Sequence, residues 1–294
     1  DAIGKHRSVT RVAEQMGLSQ PTVTRALSDI EEIFMTPLFV RSRRGLEPTA
    51  AGEVVLARAR FALADITVLQ DELRAVNQGR QGTLRIGLIP YVSGQALDAI
   101  WRHLLSLQPR LALSASEDTS LNLIKRVRDR ELDCAVCRFS HDSIEDDLVQ
   151  VPLYHQQAFL VAAKPSAFLL SRQPVLDIAQ LAEMEWVFPP SNTPIRKVID
   201  AIFAAAGRQV PVPLMEAYSI RAISTALHQL PRGVTVLPGD IANIVASAGG
   251  AEVLERPLPW SLPPVGLAWL RDSPKAGIAV ALAAAVREKT IALK

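Results

Sequence analysis

SVTRVAEQMGLSQPTVTRALSDIEEIFMTPLFVRSRRGLEP, residues 8 to 48, holds two short amphipathic helices, a glycine turn and a basic hairpin, in that order. Val9, Val12, Ala13 and Met16 recur at the three-and-four spacing of one helix face, and Gly17 then supplies a residue that ends a helix in left-handed geometry. Ser19 is a good N-cap and Pro21 is tolerated in a first turn. A second helix is therefore expected from about Gln20, with Val23, Ala26, Leu27, Ile30 and Ile33 turned inward. Its outward face carries Pro21, Thr24, Arg25 and Ser28, with Ser19, Gln20 and Thr22 around its start. Side chains of this kind contact base edges and phosphates from the N-terminal end of a recognition helix. PLFVRSRRGLEPT then reads as strand, turn and strand, with Arg41, Arg43 and Arg44 crowded round Gly45 at the tip, suited to a phosphate backbone.

Net charge does not carry this reading. Lys5, Arg7, Arg11, Arg25, Arg41, Arg43 and Arg44 are nearly balanced by Asp1, Glu14, Asp29, Glu31, Glu32 and Glu47, so the distribution of charge matters more than its sum. A solvated helical hairpin with a charged loop would show the same two helices; the basic hairpin and the element after it tell against that plainer reading.

From Thr49 to about Gln78 the chain has no proline and one early glycine, enough for a helix of roughly 40 Å. Val55, Ala59, Ala62, Ile66, Leu69, Leu73 and Val76 alternate steps of four and three, the repeat that keeps one seam facing a partner helix. Val54, Phe61 and Leu63 widen the stripe, as packing on the helix's own domain would. Pairing of two copies would set two DNA-reading heads on one duplex and favour dyad-related half-sites.

SVTRVAEQMGLSQPTVTRALSDIEEIFMTPLFVRSRRGLEPTAAGEVVL resembles the N-terminal domain of a LysR-type transcriptional regulator, through its motif order, SQP core, LFVR strand and T-x-A-G helix start. The resemblance implies residues 1–48 as a winged helix-turn-helix, 49–80 as a linker and dimerisation helix, and 81–294 as a two-lobed, periplasmic-binding-protein-like effector domain. Lobe I is expected over about 81–155 and 260–294, and lobe II over about 156–259. Two departures stand out. The chain begins at Asp1, inside what the family would make the end of its first helix, which would leave the Val9, Val12 and Met16 face partly uncovered. Met35 occupies a turn position usually held by glycine.

The second half supports an α/β fold without the resemblance. TLRIGLI, LALSAS and LDCAVC read as strands separated by helices, VQVPLYHQQAFLVAA crosses to a second lobe, WVFPPSN, VPLMEAY and GVTVLP continue there, and PVGLAWL with a last helix from about Ser273 returns. Repeated strand–helix order implies parallel sheets with covered faces. Such sheets bind ligands at the carboxyl ends of strands, where helix N-termini offer free N–H groups. This singles out Pro90, Tyr91, Val92 and Ser93 after the first strand, Thr119 and Ser120 opening a helix, and Arg138 beyond LDCAVC. From the second lobe it singles out Pro190, Ser191 and Asn192, with the turn at Tyr218, Ser219 and Ile220. Hydroxyls, helix N-termini and one arginine suit a small anion, most simply a carboxylate. Each alone reads as structural: N-capping for Thr119 and Ser120, and a surface ion pair for Arg138. The resemblance implies an effector-binding hydroxyl at Thr119. Tyr91 stands where many relatives have Ser or Thr, so Ser93 would substitute or the ring would favour a stacking ligand.

Other functions find less support. With 294 residues, 49% of them hydrophobic and 5% aromatic, the chain has ample material for two or three cores. No apolar run approaches the roughly 18 residues of a membrane span. No signal peptide is visible, so a cytoplasmic address without membrane contact is expected. Cys134 and Cys137 form a C-x-x-C, but in a buried strand residues three apart point to opposite faces, so packing is expected rather than a disulfide or metal site. No Gly-rich phosphate loop, G-x-S-x-G or H-E-x-x-H is present, and His6, His103, His141, His155 and His228 fall in unrelated contexts; no enzyme, cofactor or metal is expected. The expected partners are double-stranded DNA at dyad-symmetric promoter sites, an organic-acid effector, a second copy in a homodimer or homotetramer, and RNA polymerase. A solute-binding receptor or transport component shares the two-lobed architecture and stays open as the alternative; an enzyme on that scaffold ranks behind it.

Overall fold

Helices α1 (Ala2–His6), α2 (Val9–Met16) and α3 (Gln20–Ile33) precede a hairpin of β1 (Phe39–Ser42) and β2 (Gly45–Pro48) and the long helix α4 (Ala50–Asn77). This computed structural model describes residues 1–77, 82–107, 111–139, 146–172 and 176–291 and falls into two units, Asp1–Leu73 and one from Arg74 onward. The helix boundaries are chemically marked. Ser8 Oγ accepts the Arg11 N–H at 3.3 Å, Gly17 ends α2 at φ 65°, and Ser19 Oγ accepts the Thr22 N–H at 3.3 Å. Val12, Ala13 and Val23 form the small core, covered by Ala2, Ile3 and Val9. The short α1 thus shields Val12, while Met16 stays 59% exposed.

The inward face expected of α3 is only partly right. Val23 is buried and Leu27 half-buried, but Ala26, Ile30 and Ile33 are exposed. The reason is length: eight residues of α2 span about 12 Å and fourteen of α3 about 21 Å, so the C-terminal turns of α3 outrun their cover. Those turns are instead tied down by Glu31, whose Oε1 accepts the Leu38 N–H at 2.6 Å and the Phe39 N–H at 3.1 Å. Thr49 Oγ donates to the Pro37 carbonyl at 2.8 Å, and a Cβ at Gly52 would stand 2.0 Å from the Leu38 oxygen. The T-x-A-G start of α4 therefore needs its glycine for close packing.

Past the winged helix the chain alternates strands and helices. β3 (Thr83–Leu88), α5 (Gly94–Ser106), β4 (Ala112–Glu117), α6 (Ser120–Arg128), β5 (Cys134–Arg138) and β6 (Leu148–Tyr154) lead to a crossover at His155 and Gln156. β7 (Gln157–Ala163), α7 (Lys164–Ser171), α8 (Ile178–Ala182), β8 (Glu185–Phe188), α9 (Pro194–Ala205), β9 (Met215–Glu216), α10 (Ile220–Gln229), β10 (Gly233–Pro238), α11 (Gly239–Ser247) and β11 (Ala251–Ser261) follow. A second crossover, residues 262–264, returns the chain to β12 (Val265–Leu270) and α12 (Ala276–Ile291). The strands form two five-stranded sheets, ordered β4-β3-β5-β12-β6 and β11-β7-β10-β8-β9.

These sheets are mixed, where parallel ones were expected. β3, β4 and β5 are parallel, but β12 runs antiparallel to β5 and β6, and β7 antiparallel to β10 and β11. The two crossovers impose this: a strand that re-enters a lobe directly from the other arrives from the far end, with no helix to turn it round. One lobe packs Ile86, Ile100, Leu123, Val136, Leu267 and Leu282, the other Leu160, Trp186, Phe188, Phe203 and Val236. Cys134 and Cys137 are free and fully buried in the first, and burial pushes the Cys134 thiol up to about 12.

Candidate functional site

In the first unit, α3 and the hairpin present the expected DNA-contacting side chains. Ser19, Gln20, Pro21, Thr22, Thr24, Arg25 and Ser28 are all exposed, as are Arg41, Arg43 and Arg44. They divide by what their polar atoms already do. Ser19 caps α3 and shares a 2.7 Å hydrogen bond with the Thr22 hydroxyl, while Thr24 Oγ donates back to the Gln20 carbonyl at 3.0 Å. Arg25, Arg41, Arg43 and Arg44 enter no ion pair among the described residues, so their guanidinium groups are free for phosphate or base. The tip is held firmly. Gly45 sits at φ 102°, its absent Cβ would lie 2.4 Å from the Arg7 carbonyl oxygen, and Leu46 N–H donates to that oxygen at 2.8 Å.

Along α4 the expected seam splits in two. Val55 and Ala59 are half-buried and neighbouring Leu56, 5% exposed, packs onto Gly4, so the first turns belong to the winged helix. Ala62, Ile66, Leu69 and Leu73 are exposed, an apolar row that no described residue covers. The Val76 side chain lies outside the described residues.

Between the two lobes a polar cluster gathers around Arg138. Its side chain is buried, and burial holds the guanidinium below its ordinary pKa. Nη1 donates to the Pro263 carbonyl at 2.7 Å and Nη2 donates to Gln156 Oε1, so one side chain is tied to both crossovers. Its backbone N–H donates to Ser120 Oγ at 3.1 Å. Arg138 enters no surface ion pair among the described residues; the group is an interior cation held at the two crossovers. Its Nε has no hydrogen-bond partner among the described residues.

Tyr91 is the second buried member. Its ring packs edge-on against Tyr218 with centroids 5.0 Å apart, its hydroxyl is buried without a hydrogen-bond partner among the described residues, and burial drives its pKa far above the ordinary tyrosine value. Ser93 caps α5 through Ala96 N–H at 3.2 Å and gives its own N–H to the Tyr154 hydroxyl at 2.9 Å. Thr119 Oγ accepts the Asn122 N–H at 3.4 Å, which leaves its hydroxyl proton, like that of Ser120, available to a ligand acceptor.

Several expected residues do not join the cluster. Val92 is 2% exposed and belongs to the first lobe's apolar core. Pro190 spends its carbonyl on Thr193, whose hydroxyl donates at 2.7 Å and caps α9, while Ser191 and Asn192 point to solvent. Ser219 caps α10 through the Ala222 N–H, and Ile220 packs on the second lobe's core. Ile220 also borders an open groove of about 570 Å³ between α10 and α11, which holds no buried charged side chain. Tyr154, Gln156 and Asp240 were missed. Gln156 had a signal, the polar HQQ between two apolar strands. Asp240 follows the strand GVTVLP, where the strand-end rule that found Thr119 applies equally.

Residues 1–53 match the family described as bacterial regulatory helix-turn-helix protein, lysR family, and residues 77–290 match the LysR substrate binding domain. The HTH-type transcriptional regulator GalR of Pseudomonas putida is 29% identical over 283 residues, 96% of this chain and 70% of that protein. The small neutral protease regulatory protein of Streptomyces coelicolor is 32% identical over 219 residues, 72% of this chain and 68% of that protein. The crystal structure of CbnR, a LysR family transcriptional regulator, shares the fold at 17% identity with a TM-score of 0.64, covering 98% of this chain and 96% of its own. With a helix-turn-helix segment followed by a substrate-binding domain, the chain belongs to the LysR family of transcriptional regulators.

Proposed function

We propose that this regulator's hold on promoter DNA is changed by a small organic acid bound between its two lobes. The observation that carries the reading is the pair of buried donors, Arg138 Nε and the Tyr91 hydroxyl, without hydrogen-bond partners among the described residues, with the Ser120 hydroxyl bonded to the Arg138 backbone N–H. Buried polar atoms without partners are rare, and donors of this kind are completed by an acceptor such as a carboxylate. On this reading Gln20, Pro21, Arg25 and Ser28 meet bases, Arg41, Arg43 and Arg44 meet phosphate, and Ala62, Ile66, Leu69 and Leu73 join two copies. The workplace is then the cytoplasm, where promoter DNA lies. Because Arg138 touches both crossovers, a ligand on its Nε acts on the hinge itself, giving the coupling between sites that allostery requires.

The test is a thermal-shift panel of aromatic, aliphatic and sugar acids with neutral analogues on the full chain, run beside Arg138→Gln and Tyr91→Phe. A bound ligand at a hundred times its Kd stabilises by about 2.7 kcal/mol. An acid that shifts wild type and loses its effect in both variants supports the reading; hits among neutral analogues alone, or acid hits indifferent to both substitutions, overturn it.

A further inference from the structure

Asp240 stands in the first turn of α11, and its carboxylate reaches across to the other lobe. Oδ2 accepts the N–H of Gly94, the first residue of the thirteen-residue helix α5, at 3.1 Å. Oδ1 accepts Gln156 Nε2 at 3.1 Å, and Gln156 in turn accepts from Arg138 and donates to the Tyr91 carbonyl. A helix-start N–H and an amide donor backed by a buried cation form the donor set that a free carboxylate takes. On the far side of Gln156, Arg138 Nε and the Tyr91 hydroxyl are buried with no acceptor among the described residues. The seat is therefore built for more negative charge than Asp240 alone supplies.

We propose that Asp240 is a tethered stand-in for the effector's carboxylate. It fills one anion seat between the lobes and ties α11 to the start of α5. An incoming organic acid takes that seat by displacing it, because two carboxylates cannot share one set of donors without strong repulsion. The arriving acid also engages the two donors that Asp240 leaves unpaired, which gives it an advantage over the tethered group. The acids that switch this protein are then those able to outcompete a carboxylate held at the high effective concentration of a tether. This proposal rests on reading the cleft as an anion site, but its test needs no knowledge of the effector.

The test uses the full chain and follows hydrogen exchange in a peptide containing Gly94, with acetate as probe and equal chloride as control. In Asp240→Ala the Gly94 amide loses its acceptor and exchanges about threefold or more faster, the range expected for an exposed, solvent-screened hydrogen bond to a carboxylate. Acetate, but not chloride, returns it toward the wild-type rate, and wild type itself does not respond. Unchanged exchange in Asp240→Ala, or no response of that variant to acetate, overturns the proposal. Asp240→Asn keeps the volume of the side chain and guards against misfolding of the alanine variant. It accelerates exchange of the same peptide to a smaller degree, and an unchanged rate there overturns the proposal too. Should no acid bind wild type in the panel above while acetate repairs Asp240→Ala, the effector reading fails and the seat stands.

Discussion

If the row Ala62, Ile66, Leu69 and Leu73 is the seam of a homodimer, a charge at its centre should abolish the dimer. Ile66, Leu69 and Leu73 are 52%, 54% and 56% exposed in the single chain, so pairing has about half of each side chain left to bury. Full burial of such a side chain is worth about 1.5–3 kcal/mol, which makes each remaining half worth about 1 kcal/mol. Leu69→Ala, present in both copies, then costs the dimer about 2 kcal/mol, close to thirtyfold in Kd at about 1.4 kcal/mol per decade. Leu69→Asp adds an unpaired ion in a dry seam at about 3 kcal/mol or more per copy, about 6 kcal/mol in all and more than four decades. Sedimentation velocity over a dilution series reads this directly: wild type as dimer or larger, Leu69→Asp as monomer, Leu69→Ala between them. Thr67→Asp, exposed and turned away from the row, serves as control and should sediment as wild type. A Leu69→Asp chain that sediments as wild type would refute the seam, and a Thr67→Asp chain that dissociates equally would show that charge, not packing, governs assembly.

Three further outcomes are expected. Arg25→Ala lowers discrimination between specific and random DNA by about 1–3 kcal/mol, whereas Arg43→Ala weakens both alike and reduces the salt slope by about 1, as fluorescence anisotropy across a salt series would register. Glu31→Ala strips the acceptor from the buried Leu38 N–H and from Phe39 N–H, costing about 2 kcal/mol in denaturant unfolding of the winged helix; equal stability would show that the hairpin root is held by other contacts. Tyr91, Tyr154 and Tyr218 all have pKa values raised by burial. A folded value above the unfolded one favours the protonated state, so this contribution is complete below about pH 10 and falls away as pH rises beyond it. Denaturant midpoints should drop above that pH, and Tyr91→Phe should make the drop shallower; an equally steep drop in that variant would locate the effect elsewhere.

What could be read in the sequence were features set by local chemistry. Gly17, Ser19 and the paired arginines at a tight hairpin turn each act on atoms a few residues away, and each appears where it was expected. Met35, noted because glycine is usual at its position, adopts φ 50°, the left-handed geometry that makes glycine usual. The misplaced features depend on tertiary reach. Ile30 and Ile33 follow the periodicity of a buried face, but periodicity does not say where the covering helix stops. Arg138 was correctly placed at a strand end, yet its two carbonyl and amide acceptors come from residues 156 and 263, and no local pattern joins them to it. Antiparallel insertion of β12 was hidden for the same reason, since it follows from how the chain re-enters a lobe.

The hairpin's two anchors carry a thermodynamic consequence for DNA binding. Its root is gripped by the Glu31 carboxylate and its tip by the Arg7 carbonyl, so the backbone beneath Arg41, Arg43 and Arg44 is set before any duplex arrives. Ordering one residue costs about 1–2 kcal/mol of entropy, a loss that a floppy basic loop would meet on contact and that this one meets during folding. Association should therefore show a small heat-capacity change from the hairpin and an affinity governed by released counterions, leaving sequence choice to the helix beside it.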